Sequence, residues 1–318
     1  MKASIIFNPQ AGTHTLQGQL EEAGVYLQQQ GWHITWCKTT YAGHATELAC
    51  DAAKRGDDVA IAVGGDGTLN EVMNGLVGSE TALAVLPAGT ANVFAAELHI
   101  PIPVPLLPNT LKKAAEYMIS GDIRRIDVGK AVFSDGLERC FLLWAGIGLD
   151  AAISQAVETE RNLHPSHRAL GMIAWLIAGL ATLRAFRGKQ TQIRLDQKFI
   201  SRRVISTTIN NSQLYARFWR LAPKAKLDDG LLDVVVLEGY NTRSAIKHVL
   251  MVTLGRHTQD PEVHIYRTRQ IHLETRDPMP VHLDAEVAGQ TPVKIEVVPH
   301  ALNILVPRNA PHQLFTQR

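Results

Sequence analysis

Val59-Ala60-Ile61-Ala62-Val63-Gly64-Gly65-Asp66-Gly67-Thr68-Leu69-Asn70-Glu71 is the stretch whose reading decides the fold. Its first five residues are apolar, three of them β-branched, with no polar alternation. That pattern predicts a strand buried on both faces. Glycines end the strand at once, and residues 69–76 carry apolar positions at helical spacing. A strand that enters a helix through glycines lets the backbone approach a polyphosphate closely. The helix start adds free N–H groups and the positive end of its dipole. Asp66 inside the glycines repels a bare anion, so the run points to phosphate together with magnesium.

The same rhythm extends on both sides. Residues 3–7 read as a strand, residues near 16–30 as a helix, 33–37 as a strand and 44–54 as a helix. Residues 83–86 read as a further strand stopped at Pro87, with a helix opening near Ala91. Alternating β and α segments predict a parallel, doubly wound sheet. Ligands in such sheets sit beyond the carboxyl ends of the strands. The loops there are Asn8-Pro9-Gln10-Ala11-Gly12, Thr39-Thr40-Tyr41-Ala42-Gly43-His44, the glycine run itself, and Pro87-Ala88-Gly89-Thr90-Ala91-Asn92. Four polar, glycine-bearing loops on one sheet edge predict a nucleotide site.

After Ile100 the character changes. Pro101, Pro103, Pro105 and Pro108 interrupt regular structure, and residues 110–119 give one more helix. From about Arg124 most segments read as strands: 126–132, 139–145, 192–195, 204–209, 231–237, 271–274, 281–287 and 293–298. Asp135-Gly136 and Asp229-Gly230 supply turn signals. Helices are expected at 150–158, 170–186 and 244–254. The resulting division is an α/β nucleotide domain over 1–123, a mainly β domain over 124–306 for substrate and metal, and a tail over 307–318 that looks loosely ordered from 309.

Bulk properties narrow the function. The chain has 318 residues, enough for two domains. Its net charge of +2 and lack of a basic stripe argue against a nucleic-acid partner. Cys37, Cys50 and Cys140 form neither a disulfide framework nor a metal-type spacing, which fits reduced thiols in the cytoplasm. The apolar start is too short for a signal peptide. Residues 169–183 are nearly all apolar and flanked by Arg168, Arg184 and Arg187, yet fall short of the roughly 20 residues that span a bilayer. No transmembrane segment is expected. There is no Walker-type run.

The Asn8–Gly12 loop, the Gly64–Glu71 run and the Leu86–Asn92 run, with three further segments, make the chain resemble the diacylglycerol kinase catalytic domain family, in its bacterial soluble branch related to sphingosine kinases. The further segments are Ala145-Gly146-Ile147-Gly148-Leu149-Asp150-Ala151, Leu221-Ala222-Pro223-Lys224-Ala225 and Leu227-Asp228-Asp229-Gly230-Leu231-Leu232-Asp233. The resemblance implies ATP as donor and a lipid hydroxyl as acceptor, met at a membrane surface. It implies nucleotide contacts from Asn8, Pro9, Gln10, Ala11, Gly12, Thr39 or Thr40, from Gly64, Gly65, Asp66, Gly67, Thr68, Leu69, Asn70 and Glu71, and from Thr90 with Asn92 beside it. It implies a cation near Asp229, with the carbonyls of Lys226 and Leu231.

Leu283-Asp284-Ala285-Glu286 is the last constellation. Read as a strand, it places the carboxylates of Asp284 and Glu286 on one face. The resemblance puts the general base at Glu286, with Asp284 beside it and Asp66 in a metal–water network. Three departures stand out. Val93 replaces the Asp that often follows the Asn of the threonine loop. Tyr215-Ala216-Arg217-Phe218-Trp219-Arg220 stands where a glycine-rich stretch is usual, and Ala285 where Gly is common. Three other readings compete. An NAD kinase lacks support because no Thr-Pro-Thr-Gly-Ser-Thr-type segment occurs. A Rossmann oxidoreductase has a formal fingerprint in Gly146-Ile147-Gly148-Leu149-Asp150-Ala151 but no acidic strand end about 20 residues on. A lipid-binding protein with weak catalysis is opposed by the retained Asp66, Asp229 and Glu286. Homo-oligomerisation is left open by the sequence, and so is the acceptor lipid, with diacylglycerol, phosphatidylglycerol, a sphingoid base and an unusual alcohol as the alternatives.

Overall fold

The computed structural model describes residues 1–9, 14–103, 109–163, 182 and 186–316. Residues 10–12 of the first loop and nearly all of the expected 170–186 helix lie outside the described residues. The chain divides into two compact units: Met1–Val128 with Leu227–Asp229 and Pro299–Arg318, and Gly129–Lys226 with Gly230–Val298.

The first unit runs β1 (Lys2–Phe7), α1 (His14–Gln29), β2 (His33–Lys38), α2 (His44–Lys54), β3 (Val59–Gly64), α3 (Asp66–Leu76), β4 (Ala82–Pro87), α4 (Val93–Glu97) and α5 (Thr110–Ile119). The strands are parallel in the order β2-β1-β3-β4. The chain's last strand adds to β4, also parallel, at Ile304↔Leu83. Every residue of β3 and β4 is buried, as expected for a sheet covered on both faces. From β1 the chain steps outward to β2, then returns past β1 to β3 and β4. Right-handed crossovers put α1 on one face and α2 and α3 on the other. The packing agrees: α1 lies against α5, and α2 against α3. The direction of winding reverses between β1 and β3, which is the switch point where such sheets bind ligands. Phe7 is level with Lys38 and Val63, and Gly64 is level with Pro87, so the four loops leave from one edge.

The end of the chain departs from expectation. Ala310, Leu314 and Phe315 are buried. Leu227 N–H donates to Leu314 O at 2.8 Å, and the Arg124 guanidinium sits 4.7 Å from the centre of the Phe315 ring. Three apolar anchors in six residues offset the entropy of ordering a terminus.

The second unit contains the end of β5 from Gly129 (β5 is Asp122–Phe133), β6 (Glu138–Phe141), β7 (Trp144–Gly148), α6 (Leu149–Leu163), β8 (Lys189–Leu195) and β9 (Lys198–Asn210). It continues with β10 (Leu214–Tyr215), β11 (Trp219–Arg220), β12 (Leu232–Glu238), α7 (Thr242–Thr253), β13 (Val263–Thr268), β14 (Gln270–Thr275), β15 (Pro280–Leu283), β16 (Glu286–Gln290) and the first part of β17 (Val293–Val306). Its sheet is antiparallel, ordered β16-β15-β7-β9-β8-β14-β17, with β12 and β13 continuing from β9. Ile147, Ile209, Val234, Ile271, Val281 and Ile295 lie in its core. The strand β7 pairs antiparallel with β9 and β15, so the glycine pattern after Ala145 does not open a parallel βαβ unit and the Rossmann reading fails.

Two expected strands are each broken in two. The 139–145 segment parts at Leu142 and Leu143. The 281–287 segment parts at Asp284 and Ala285, which take φ of 48° and 70°. Both breaks belong to one structure, described next.

Candidate active site

The site in the first unit is built on a contact between two glycines. A Cβ on Gly89 would lie 2.3 Å from the Cα of Gly65, and one on Gly65 would lie 3.4 Å from the Cα of Gly89. Glycine at position 89 is therefore what lets the β3–α3 and β4–α4 loops touch backbone to backbone, while a side chain at position 65 would only just fit. Side chains then lock the contact. Asn92, buried and at φ 49°, receives the Gly89 N–H at 3.0 Å and donates to Gly89 O at 2.7 Å. Asp66 accepts the Val93 N–H at 2.8 Å. This bond uses the backbone of Val93, so the departure at that position leaves it intact. Gly64 completes the turn beneath Thr68, since a Cβ there would lie 2.6 Å from Thr68 Oγ1.

The first intrahelical bond of α3 is Leu69 N–H to Gly65 O, at 3.1 Å. The amides of Gly67 and Thr68 precede it and belong to the free end of the helix. A narrow glycine cradle beside a helix start fits a polyphosphate.

The remaining expected contacts divide by placement. Asn8, Pro9, Thr40 and Thr90 are exposed at the sheet edge, while Gln10, Ala11 and Gly12 are outside the described residues. Thr39 is buried and donates its N–H to Phe7 O at 2.9 Å. Thr40 meets His44 Nδ1 through both its amide (3.1 Å) and its hydroxyl (3.0 Å). The side chains of Leu69 and Asn70 are buried in the interior, which leaves only their backbone for a ligand. Glu71 reaches back to α2: its carboxylate accepts the Ala45 N–H at 3.2 Å and its carbonyl accepts from Thr46 Oγ1 at 2.9 Å. It therefore tethers the start of α2, and with it the threonine loop, to the phosphate helix.

In the second unit the expected shared face of Asp284 and Glu286 is overturned. Leu283 pairs directly with Glu286, so Asp284 and Ala285 are the two turn residues of a tight hairpin. Left-handed φ at both central positions is the geometry that matches the strand twist. The carboxylates consequently part company. Asp284 is buried, and its oxygens accept the backbone N–H groups of Leu142 (2.7 Å), Leu143 (2.8 Å) and Trp144 (3.1 Å). It closes the break between β6 and β7. Glu286 opens β16 half-exposed and pairs with Arg139.

The hairpin rests on a buried polar group that sequence reasoning passed over. His282 Nδ1 accepts the Ala285 N–H at 3.2 Å, so its ring proton sits on Nε2, facing Asp150 Oδ2 at 3.1 Å. Ser206 Oγ donates to Asp150 Oδ1 at 3.0 Å. Gly146 makes room for this pair, because a Cβ there would lie 2.0 Å from Asp150 Oδ2 and 2.2 Å from His282 Nε2. Tyr215 packs on Trp144 with ring centroids 5.1 Å apart. Burial, reinforced by the Asp150 carboxylate, pushes its phenol well above the usual tyrosine range. The half-fingerprint at Gly146 and Asp150 was the available signal, but its partner lies 132 residues away at His282.

The departures have a backbone reading. Ala216 and Arg217 take φ of 48° and 73°, and Ala285 takes 70°, so L-residues stand where glycine is the unstrained choice. Ala285→Gly is expected to raise stability by about 0.5–1 kcal/mol, the relief of left-handed strain less the added freedom of the unfolded chain. A thermal melt that falls instead of rising would show that the methyl group is needed.

Among the expected metal ligands, Asp229 belongs to the first unit and Lys226 and Leu231 to the second. The neighbouring Asp228 is committed to the Thr316 N–H at 2.6 Å. Among the described residues no three His, Cys, Asp or Glu side chains gather as a metal cluster.

Comparison with known proteins agrees with this geometry. The family model described as the diacylglycerol kinase catalytic domain matches residues 2–131. The one described as the YegS C-terminal NAD kinase beta sandwich-like domain matches residues 144–306. A diacylglycerol kinase of Bacillus subtilis (strain 168) is 29% identical over 315 residues, covering 98% of this chain and 99% of that protein. A diacylglycerol kinase of Staphylococcus saprophyticus is 29% identical, covering 92% and 90%. A crystal structure of a diacylglycerol kinase from Bacillus anthracis str. Sterne superposes with a TM-score of 0.70 at 20% identity, covering 98% of each chain, a likeness of fold. With its parallel-sheet glycine cradle and its β-rich second unit, this chain belongs to the diacylglycerol kinase catalytic domain family.

Proposed function

We propose that the chain is a kinase that transfers the terminal phosphoryl group of ATP to the hydroxyl of a diacylglycerol-class lipid. The observation that carries this reading is the Gly65–Gly89 contact, locked by Asp66 and Asn92 between the loops that follow β3 and β4, beside the switch point of the parallel sheet. The names of the relatives support the acceptor class. Three free cysteines fit a reducing, cytoplasmic setting.

In this reading the amides of Gly67 and Thr68 hold phosphate oxygens. Asp229, with the carbonyls of Lys226 and Leu231, is the proposed oxygen set for a hard cation. Magnesium, when bound, supplies positive charge that offsets the negative charge developing on the phosphates. Glu286 takes the proton of the lipid hydroxyl as the new O–P bond forms and the bond to the ADP oxygen breaks. Arg139 fixes the position of Glu286. A primary or secondary alcohol attacking phosphorus needs a placed base more than a strong one.

The test is transfer of label from γ-labelled ATP to a total lipid extract, with mass identification of the product. A phosphatidate-like product is expected. Gly89→Ala is expected to raise the ATP KM and cut kcat/KM by roughly tenfold to a hundredfold, since backbone must shift at the cradle. No labelled lipid from any class, with the protein folded, would defeat the proposal.

A further inference from the structure

Helix α7 turns an apolar face to solvent. Ala245 and His248 point inward, and Asn241 caps the helix by accepting the Ser244 N–H at 3.2 Å. Outward lie Ile246, Val249, Leu250 and, just past the last turn, Leu254, which are 56, 48, 55 and 56% exposed. Their spacing of three and four residues puts them on one side of the helix. Nowhere else among the described residues do four exposed aliphatic side chains fall within nine residues. Single exposed apolar residues need no explanation, but a contiguous helical face marks an interaction surface.

Charge indicates what covers it. Arg243 and Arg256 flank the face, are exposed and carry no ion pair among the described residues. Arg203, also exposed, stacks over the Tyr240 ring at 4.7 Å, and Tyr240 is itself half-exposed. Acidic groups nearby are engaged: Asp260 and Glu262 both bind Lys247, at 2.7 and 2.8 Å. An apolar face edged by cations and an interfacial tyrosine complements a bilayer with anionic headgroups. A second copy of the chain fits less well, because a two-fold contact sets one cation-edged patch against another.

From this we infer that α7 docks the protein on anionic membrane. The inference rests on the lipid-acceptor reading for its purpose, since a diacylglycerol stays in the bilayer and no helix among the described residues is long and apolar enough to cross one. The docking itself is measured separately.

The experiment compares the full chain with Ile246→Glu/Leu250→Glu, both positions being exposed. Vesicle co-sedimentation uses phosphatidylcholine with and without phosphatidylglycerol. The wild type is expected to bind the anionic vesicles, and the double variant to bind them roughly tenfold or more weakly, through loss of buried apolar area. Activity on bilayer diacylglycerol is expected to fall in parallel, while activity on a monomeric short-chain diacylglycerol stays unchanged. Wild-type binding equal to that of the variant overturns the inference. So does absence of wild-type binding together with a dimer that the substitutions dissociate in sedimentation velocity. A wild type that binds vesicles through α7 but phosphorylates no lipid leaves the docking intact and defeats the kinase proposal.

Discussion

Glu286→Gln is expected to leave the protein folded and to lower kcat by roughly 10²- to 10⁴-fold, the range for removal of a positioned general base. The amide has nearly the shape of the carboxylate, so the β15–β16 hairpin is undisturbed. The lost partner is Arg139, in a pair whose side chains are 26 and 41% exposed. Exposed pairs of this kind contribute less than about 1 kcal/mol. Rate and stability therefore separate at this residue. Steady-state kinetics on a lipid acceptor, run beside a thermal melt, reads both. A kcat within a few-fold of wild type would remove Glu286 from the reaction.

Asp284→Ala is expected to do the opposite. The carboxylate accepts three buried backbone N–H groups. Without it each donor is stranded, at about 1–3 kcal/mol apiece when no water replaces the acceptor. Alanine is also a poorer left-handed residue than Asp at φ 48°. Allowing for partial rehydration, the loss is set at roughly 3–5 kcal/mol, a large share of the 5–15 kcal/mol that holds a typical domain together. Asp284→Asn keeps an acceptor oxygen and the tolerance for positive φ, so it is expected to retain more than half of that stability. Denaturant unfolding of the three proteins checks the order. If Ala and Asn cost the same small amount, the carboxylate is not what closes the β6–β7 break. The two acids thus sit two residues apart with opposite expected phenotypes, one in folding and one in turnover.

That contrast shows where sequence reading stopped. Leu283-Asp284-Ala285-Glu286 carries no glycine, so the usual turn signal is missing, and alternation across it mimics a strand. The donors that hold Asp284 lie 140 to 142 residues away. No local pattern encodes them. The same holds for Asp150 and His282, visible in the sequence only as part of a formal fingerprint. The apolar spacing of α7 was legible as a helix, but an outward face and an inward face look alike in one dimension. The tail's anchors were too few to register against its polar residues.

Its motifs carried the resemblance to the family, and by itself the sequence determined the parallel α/β unit, its strand and helix order and the four loops on one edge. These are decided by short-range physics: buried strands are continuously apolar, helices repeat at 3.6 residues, and close backbone approach demands glycine. Only the tertiary structure decided that Gly65 and Gly89 meet, that Asp284 caps a strand break while Glu286 stays accessible, that His282 and Asp150 support their hairpin, and that α7 faces outward. Each depends on which distant backbone groups and surfaces come together, and therefore on chain topology rather than on local residue preference.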